Sequence, residues 1–268
     1  MPVVAMQVAI TREVSPTLAR CELSFVDRVP IDIERAERQH AAYRRALEAC
    51  GCRVISLPTA PDLPDAVFVE DTALVLDEIA VITRPGASSR RPEVPSVARA
   101  LEAYRTLHRI EAPGTIDGGD VLCVGRTIYV GQSARTNAEG IRQLRELVGS
   151  SAMGEKGYEV LAVTTRDCLH LKSAVTEVAD DTVLINPAWV DAALFDASQR
   201  IEIDPGEPHA ANALRIGDRV IYPDNFPVTR KRLERAGIEV VPVDVSELQK
   251  AEGAVTCCSI VFREDITH

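Results

Sequence analysis

The chain has 268 residues, with 46% hydrophobic and 26% charged side chains and a formal net charge of −10, so it is long enough to bury a core of its own. The negative charge argues against a nucleic-acid or anionic-membrane surface, because either needs a basic patch. No run of 18 apolar residues occurs and the N-terminus lacks signal-peptide features, which predicts a cytoplasmic protein.

The first predicted helix spans residues 32–50, with Asp32 as its N-terminal cap and Gly51 where it ends. A strand (CRVISL), a Pro-rich loop and two strands around the turn Asp77-Glu78 follow. The same order of helix, strand, loop and hairpin then returns as PSVARALEAYRTL, HRIEA, IDGGD and a hairpin that turns at Gly125-Arg126.

Three further copies of this unit follow. The third begins with the helix AEGIRQLRELVG and turns at Asp180-Asp181. The fourth takes PAWVDAALFDAS as its helix and turns at Gly217-Asp218. The fifth runs from the helix FPVTRKRLERAG to the strand VTCCSIVFRE, whose partner strand is predicted to be the N-terminal segment VVAMQVAI.

Five units of this length, the last completed by the start of the chain, predict closure into a ring, which removes exposed sheet edges. The alternative is a doubly wound sheet, which needs longer, more continuous parallel strands. Short segments joined by tight turns favour antiparallel hairpins. We therefore predict an α/β chain of one domain, residues 1–268, with five ββαβ-type pseudo-repeats around a central site.

Each loop before a hairpin carries a polar side chain where the strand begins. If the units surround an axis, these side chains converge: Glu70, Asp71, Asp117, Asp120, His170, Asn212 and Cys257. The alternative is that polar residues flank strands as turn formers, but Cys and His are not favoured in turns.

Acids, one His and one Cys around a cavity suit the chemistry of a guanidinium group. A carboxylate pair binds a planar cation by charge-assisted hydrogen bonds, and a thiolate is an intrinsically strong nucleophile. His170 titrates near neutral pH and is the candidate acid and base, with Asp117 to orient it. Core packing for Cys257 and a hydrogen-bonded strand histidine for His170 are the alternatives.

Neither disulfides nor a metal site are predicted. The seven cysteines are odd in number and scattered, and the five histidines lie far apart in sequence. Zinc binding by Cys257 and His170 is a weaker alternative, and no cofactor is expected.

At these residues the sequence resembles the dimethylarginine dimethylaminohydrolase family of the guanidino-group-modifying, or pentein, superfamily. The resemblance covers most of the chain and is carried, in the family's order and spacing, by ERAERQHAAY, LPDAVFVEDTALV, ITRPGASSRR, IDGGDVL, SARTN, LHLKS and EGAVTCCSI. It implies a five-bladed α/β propeller and the cofactor-free hydrolysis of Nω-methylated arginines to citrulline and a methylamine.

The resemblance also implies roles for individual residues. Cys257 is the nucleophile, His170 the acid and base, and Asp117 its partner. The substrate contacts that it implies are the guanidinium clamp Glu70 and Asp71, the ammonium ligand Asp65, and the carboxylate ligands Arg90 and Arg135. Arginine forks bind both carboxylate oxygens better than lysine does.

Two segments depart from the family pattern. Glu252 stands where the family commonly has Asp, before the nucleophile. The N-terminal lid segment PTLARCELSFVD matches poorly, and the region of Leu23 is expected to close over the ligand.

The alternative functions are a hydrolase or deiminase of arginine, agmatine or another guanidine, and a non-catalytic guanidine-binding or thiol-redox protein. The expected partner is a small guanidino amino acid, with no nucleic acid or membrane, and the oligomeric state is monomer or homodimer.

Overall fold

The computed structural model describes residues 4–266, except for the side chains at positions 4, 5, 150, 265 and 266. The strands are β1 Val4–Arg12, β2 Cys52–Leu57, β3 Ala73–Val75, β4 Ile79–Ile82, β5 Thr106–Arg109, β6 Val121–Val124, β7 Thr127–Gln132, β8 Glu159–Thr164, β9 Val175–Ala179, β10 Thr182–Ile185, β11 Gln199–Glu202, β12 Leu214–Ile216, β13 Arg219–Pro223, β14 Glu239–Val243 and β15 Ile260–Ile266. The α-helices are α1 Ile33–Ala49, α2 Val94–Leu101, α3 Ala138–Val148, α4 Ser150–Met153, α5 Leu171–Ala174, α6 Pro227–Arg235 and α7 Ser246–Gln249. None of the helices in this described part is long and apolar enough to cross a bilayer.

The strands form five three-stranded sheets, in the orders β15-β1-β2, β3-β4-β5, β6-β7-β8, β11-β10-β9 and β12-β13-β14. In each sheet an antiparallel pair is extended by a third strand that runs parallel to the middle one. This arrangement confirms the predicted α/β propeller of five ββαβ-type units. The prediction that residues 1–268 form one domain stays a prediction.

The start of the chain completes the last sheet, as predicted. Strand β1 pairs with β15 in antiparallel register from Val4 opposite Ile266 to Ile10 opposite Ile260. The predicted N-terminal strand also included Val3, which lies outside the described residues. Each blade consists of a hairpin, a connection and a third strand. Each predicted unit begins instead with the helix, so its first strand belongs to one blade and its hairpin to the next.

The predicted turns and most helix ends are confirmed by the backbone. Gly125, Asp181 and Gly217 have φ values of +56°, +52° and +58°, the left-handed conformation that tight hairpins require. Helix α1 begins where predicted because the Asp32 side chain accepts a hydrogen bond from the N–H of Arg35.

The helix predicted for PAWVDAALFDAS is wrong, because this connection contains a single turn of 3-10 helix at Ala192–Leu194. The side chain of Asn186 accepts from the N–H of Ala188, and that of Asp191 from the N–H of Ala193, both at 3.0 Å. Such local side-chain bonds compete with a helix for the backbone donors.

The ring surrounds an axial cavity of about 530 Å³, which is lined by the first strands of the hairpins, including Leu74, Leu122, Thr176, Leu214 and Val261. Apolar side chains of the connecting helices pack on the sheets. Val97 and Leu101 of α2 pack with Ile82 of β4, for example. The loops that enter the hairpins therefore meet at one end of this axis.

Candidate active site

The polar side chains at the hairpin entries converge, as the repeat predicts. All five blades contribute: Glu70 and Asp71 precede β3, Asp117 and Asp120 precede β6, His170 precedes β9, Asn212 precedes β12 and Cys257 precedes β15. In the first three of these blades the residues lie at or beside a single helical turn. Direct contacts join them: His170 contacts Asp71 and Asp117, and Thr256 links Glu70 to Asn212.

A small cavity, here called the thiol cavity, lies among these residues. It has a volume of about 20 Å³, and its lining includes Asp71, His170 and Cys257 together with Asp65 and Arg135. This is room for about one water molecule, so a larger ligand requires movement of a covering segment.

Two buried carboxylates hold His170. Its Nε2 lies 3.2 Å from Asp117 Oδ2, and its Nδ1 lies 3.9 Å from Asp71 Oδ1. Burial alone lowers the pKa of His170, but the facing carboxylates of Asp71, Asp117 and Asp120 outweigh it and raise that pKa to about 9. The imidazole is therefore protonated at neutral pH.

The glycine pair of the IDGGD segment allows this close approach. A Cβ on Gly119 would lie 2.5 Å from His170 Nδ1, and a Cβ on Gly118 would lie 2.0 Å from the carbonyl oxygen of Glu70. The N–H of Gly119 also donates to Asp71 Oδ1 at 2.9 Å. A side chain at Gly119 would therefore displace the imidazole from Asp71, and one at Gly118 would displace the backbone at Glu70.

Arg90 is the second cation beside Asp71. Its guanidinium is buried and donates to the carboxylates of Asp71 and Glu93 and to the carbonyl oxygens of Asp65 and Phe68. Burial favours the neutral form of Asp71, but His170 and Arg90 together with the Gly119 N–H outweigh it and lower the pKa of Asp71. Asp71 is therefore an anion at neutral pH.

The thiol of Cys257 faces these groups in its protonated form. Burial, together with the negative charges of Glu70 and Asp71, raises its pKa to about 12. A cation bound beside the sulfur would lower that pKa. A positively charged ligand would therefore favour ionisation of this thiol.

Glu70 points away from the thiol cavity. Its carboxylate accepts from Lys172 Nζ at 2.6 Å and from the hydroxyl of Thr256 at 2.9 Å, and it lines the axial cavity. Asn212 in turn donates to the Thr256 hydroxyl and accepts from the Thr256 N–H. These bonds hold Thr256, and so the segment that carries Cys257, on the side that faces the axial cavity.

We expect the substitution Lys172→Met to lower the free energy of unfolding by about 3 kcal/mol, because it leaves the Glu70 carboxylate largely buried without its cation. Urea denaturation at pH 7 measures this loss. Arg38→Met is the control, since it breaks an exposed pair with Glu34 and should cost less than about 1 kcal/mol. Equal losses in the two variants would contradict a special role for Lys172.

Asp65 and Arg135, the predicted ligands of the α-ammonium and α-carboxylate groups, both line the thiol cavity. Burial raises the pKa of Asp65, and its carboxylate accepts from the N–H of Glu22. The Arg135 guanidinium lies 3.9 Å from Asp117 and donates to the hydroxyl of Ser24 at 3.3 Å. Residues 22 and 24 of the predicted lid therefore contact the groups that were predicted to bind substrate.

Glu252 binds the same lid segment. Its carboxylate accepts hydrogen bonds from three successive backbone N–H groups, those of Ser24, Phe25 and Val26. Glu252 itself has a φ of +57°, and it lines the thiol cavity. Leu23 is half-buried and packs on the core beneath the lid. The Glu252 side chain thus anchors the lid backbone.

We expect Glu252→Gln to loosen residues 24–26, because hydrogen bonds to a charged acceptor are stronger than those to a neutral amide. The difference corresponds to about tenfold faster amide hydrogen exchange. Exchange measured by mass spectrometry on the peptide that contains these residues tests this. Glu234→Gln on α6, which removes the same charge at an exposed site, should leave their exchange unchanged.

The residues that could hold a metal ion are Asp71, Asp117 and His170, whose ligand atoms lie within 4.8 Å of one another. Two features oppose a cation there: Arg90 already binds Asp71, and a pKa of about 9 keeps His170 protonated at neutral pH. The expected absence of a metal stays a prediction.

Sequence reasoning missed four contributors to the site: Lys172, Thr256, Glu22 and Glu93. Lys172 is two residues beyond His170 and Thr256 directly precedes Cys257, so their positions beside predicted site residues were the available signal. Nothing in the sequence indicated that the N–H of Glu22 contacts Asp65. Glu93 lies three residues after Arg90, a spacing that pairs charges on one helical turn.

Comparison with known proteins identifies relatives over nearly the whole chain. The arginine deiminase family model matches residues 58–210. The N(G),N(G)-dimethylarginine dimethylaminohydrolase of Streptomyces coelicolor is 41% identical over 258 residues, which cover 96% of this chain and 97% of that protein. The enzyme of the same name from Pseudomonas aeruginosa is 39% identical, over 86% of this chain and 90% of the relative.

Solved structures give the same picture. A dimethylarginine dimethylaminohydrolase bound as an adduct with S-methyl-L-thiocitrulline has a TM-score of 0.88 and 35% identity, over 96% of this chain and 100% of that one. The Pseudomonas aeruginosa protein in complex with citrulline has a TM-score of 0.86, again at 35% identity and with the same coverage of both chains.

Proposed function

The chain belongs to the dimethylarginine dimethylaminohydrolase family, and from this premise we propose that it hydrolyses Nω-methylated L-arginine to L-citrulline and dimethylamine or methylamine. The observation that carries the proposal is the thiol cavity, where Cys257, a protonated His170 and the Asp71 carboxylate meet. A citrulline complex and an S-methyl-L-thiocitrulline adduct are known for the relatives, which supports a small guanidino substrate.

The proposed substrate lies with its guanidinium beside Asp71 and its amino-acid end at the cavity mouth. Asp71 binds the guanidinium, Asp65 the α-ammonium and Arg135 the α-carboxylate, in each case by charge-assisted bonds. Glu70 contributes its charge from behind the nucleophile, where Lys172 holds it. Arg90, engaged by Asp71 and Glu93, orients Asp71 and adds positive charge near the carboxylate end.

The substrate's own charge prepares the nucleophile. Bound beside Cys257, the guanidinium lowers the thiol pKa from its resting value of about 12, and the thiol proton leaves to solvent. The thiolate then attacks the electron-poor central carbon of the guanidinium, and a carbon–sulfur bond forms. A ligand without positive charge would leave the thiol protonated and unreactive.

His170 then handles two protons in turn. Its imidazolium donates a proton to the departing methylamine as the carbon–nitrogen bond breaks, which leaves an amidino thioether on Cys257. The neutral imidazole next removes a proton from a water molecule, whose oxygen attacks the same carbon and releases citrulline and the thiolate. Asp117 keeps the ring oriented through Nε2, so Nδ1 is the atom that exchanges protons.

The direct test is incubation of the purified protein with asymmetric dimethylarginine, with citrulline and dimethylamine measured together. Equal amounts of the two products, and a transient mass increase on the peptide that contains Cys257, are expected. Arginine and agmatine in parallel reactions test the alternative substrates. Calorimetric binding of dimethylarginine without either product would instead favour a guanidine-binding protein and contradict the proposal.

A further inference from the structure

A second cavity, of about 240 Å³, adjoins the thiol cavity. The two share three wall residues, Leu169, Glu252 and Gly253. Leu169 directly precedes His170, the group proposed to protonate the departing amine. The second cavity, here called the aromatic pocket, is defined by the rings of Phe25, Trp189, His209 and Phe226 that line it.

Aromatic rings are concentrated in this pocket. The chain has eleven Phe, Tyr and Trp residues in 268, and three of them line this single cavity, among them the only tryptophan. The rings of Trp189 and His209 meet edge to face with centroids 5.1 Å apart. Phe25 is carried by the lid and is 53% exposed, so a large apolar side chain stands at the mouth of the pocket.

The charges of the pocket favour a cation. Two carboxylates, those of Asp167 and Glu252, lie among its fifteen lining residues, and none of these residues is Lys or Arg. Burial lowers the pKa of His209, so its ring is neutral at neutral pH. The Asp167 side chain is exposed, and within residues 4–266 no hydrogen bond or ion pair engages its carboxylate, whereas the Glu252 carboxylate already binds the lid.

We propose that the aromatic pocket binds an alkylammonium ion and that its occupant is the methylamine or dimethylamine released by the proposed reaction. Aromatic faces attract organic cations through the ring quadrupole, N-methyl groups suit apolar walls, and a carboxylate balances the charge. The amine leaves beside His170 and becomes protonated, and Leu169 and Gly253 line both the thiol cavity and this pocket. This inference rests on the proposed function for the identity of the occupant.

Trp189 provides a direct readout, because it is the only tryptophan in the chain. In the variant Cys257→Ser, in which we expect turnover to stop, tetramethylammonium chloride should change tryptophan emission saturably, with half-saturation roughly in the millimolar range. Dimethylammonium chloride should compete with it. Sodium chloride at equal ionic strength and the neutral 2-methylpropan-2-ol should not reproduce the change.

Two substitutions separate the contributions to binding. Asp167→Asn removes the charge at a residue with a φ of +50°, which asparagine tolerates as well as aspartate. Phe226→Leu removes a ring but stays apolar. Each should raise the half-saturating concentration about threefold, and the two together about tenfold. Asp218→Asn, in the β12–β13 turn, is the matched control and should leave it unchanged.

The results also separate this inference from the proposed function. No saturable change, an equal response to the neutral alcohol, or unaltered half-saturation in the double variant would overturn the cation site. Binding of tetramethylammonium without competition by dimethylammonium would overturn the product as occupant. Because the probe is not a substrate, absent turnover of dimethylarginine would end the proposed function while leaving the measured cation site in place.

Discussion

The variant Cys257→Ser should lose on the order of 10⁶-fold in kcat for methylarginine hydrolysis, comparable with the loss of a catalytic nucleophile in a serine hydrolase. Serine matches cysteine in shape, so the cavity should be kept. Its hydroxyl ionises far less readily than a thiol, and the bound guanidinium cannot make up that difference. Binding of methylarginine should therefore persist while turnover stops.

Steady-state citrulline release measures the expected loss of turnover, and calorimetry with methylarginine measures the expected retention of binding. Cys258→Ser is the matched control, because Cys258 is fully buried in the apolar core next to the site. That variant is expected to be less stable, since a polar hydroxyl replaces a buried thiol, but its kcat should remain within a few-fold of wild type. Substantial turnover by Cys257→Ser would exclude Cys257 as the nucleophile.

The fold was predictable because its signals are local and repeated. Tight turns at Gly125 and Gly217 require a left-handed backbone, and short strands around them specify hairpins. Closure of the ring was predicted because the last unit lacks one strand of its hairpin, and the N-terminal strand is available to supply it. The connection at residues 187–198 was predicted incorrectly as a helix, because the side chains of Asn186 and Asp191 accept hydrogen bonds from nearby backbone N–H groups. Composition alone does not reveal whether such an N–H group bonds to a side chain or to a helical carbonyl.

The sequence predicted which residues lie at the hairpin entries, but not the directions in which their side chains point. Glu70 and Asp71 are adjacent in sequence and were therefore predicted to bind the guanidinium together. They lie on a turn of 3-10 helix, so their side chains diverge, one to Lys172 in the axial cavity and the other to His170 and Arg90. Such divergence depends on tertiary packing, which residue types and spacing do not encode.

The variant His170→Asn should lower kcat by about 10²- to 10⁴-fold, the usual contribution of a general acid and base. It should also change how stability depends on pH. The pKa of His170 is raised from 6.5 to about 9 in the folded protein, so the native state binds its proton more tightly than the unfolded state does. This stabilisation is complete below pH 6.5 and disappears as pH rises through 9.

A shift of that size corresponds to a loss of stability on the order of 3 kcal/mol between pH 6 and pH 10. Buried thiols with raised pKa values, such as Cys257, add a loss common to both proteins. Urea denaturation across this range should therefore show a loss that is smaller in His170→Asn than in wild type by about this amount. The variant His108→Asn, which changes a histidine in β5, should follow the wild-type curve. Equal pH dependence in wild type and His170→Asn would contradict the claim that protonated His170 stabilises the folded protein.

The same pKa values determine how the rate itself must depend on pH. The resting cavity holds a thiol and an imidazolium, whereas attack requires a thiolate beside an imidazolium, so the reacting form has one proton fewer and the rate rises with pH. A bound guanidinium promotes that proton loss, because its charge lowers the pKa of Cys257. The rising limb of kcat should therefore lie at lower pH than the rising limb of kcat/KM, which reports the free enzyme. Coincident limbs would mean that the substrate's charge does not act on the sulfur, and the thiolate would then need another source of stabilisation in the cavity.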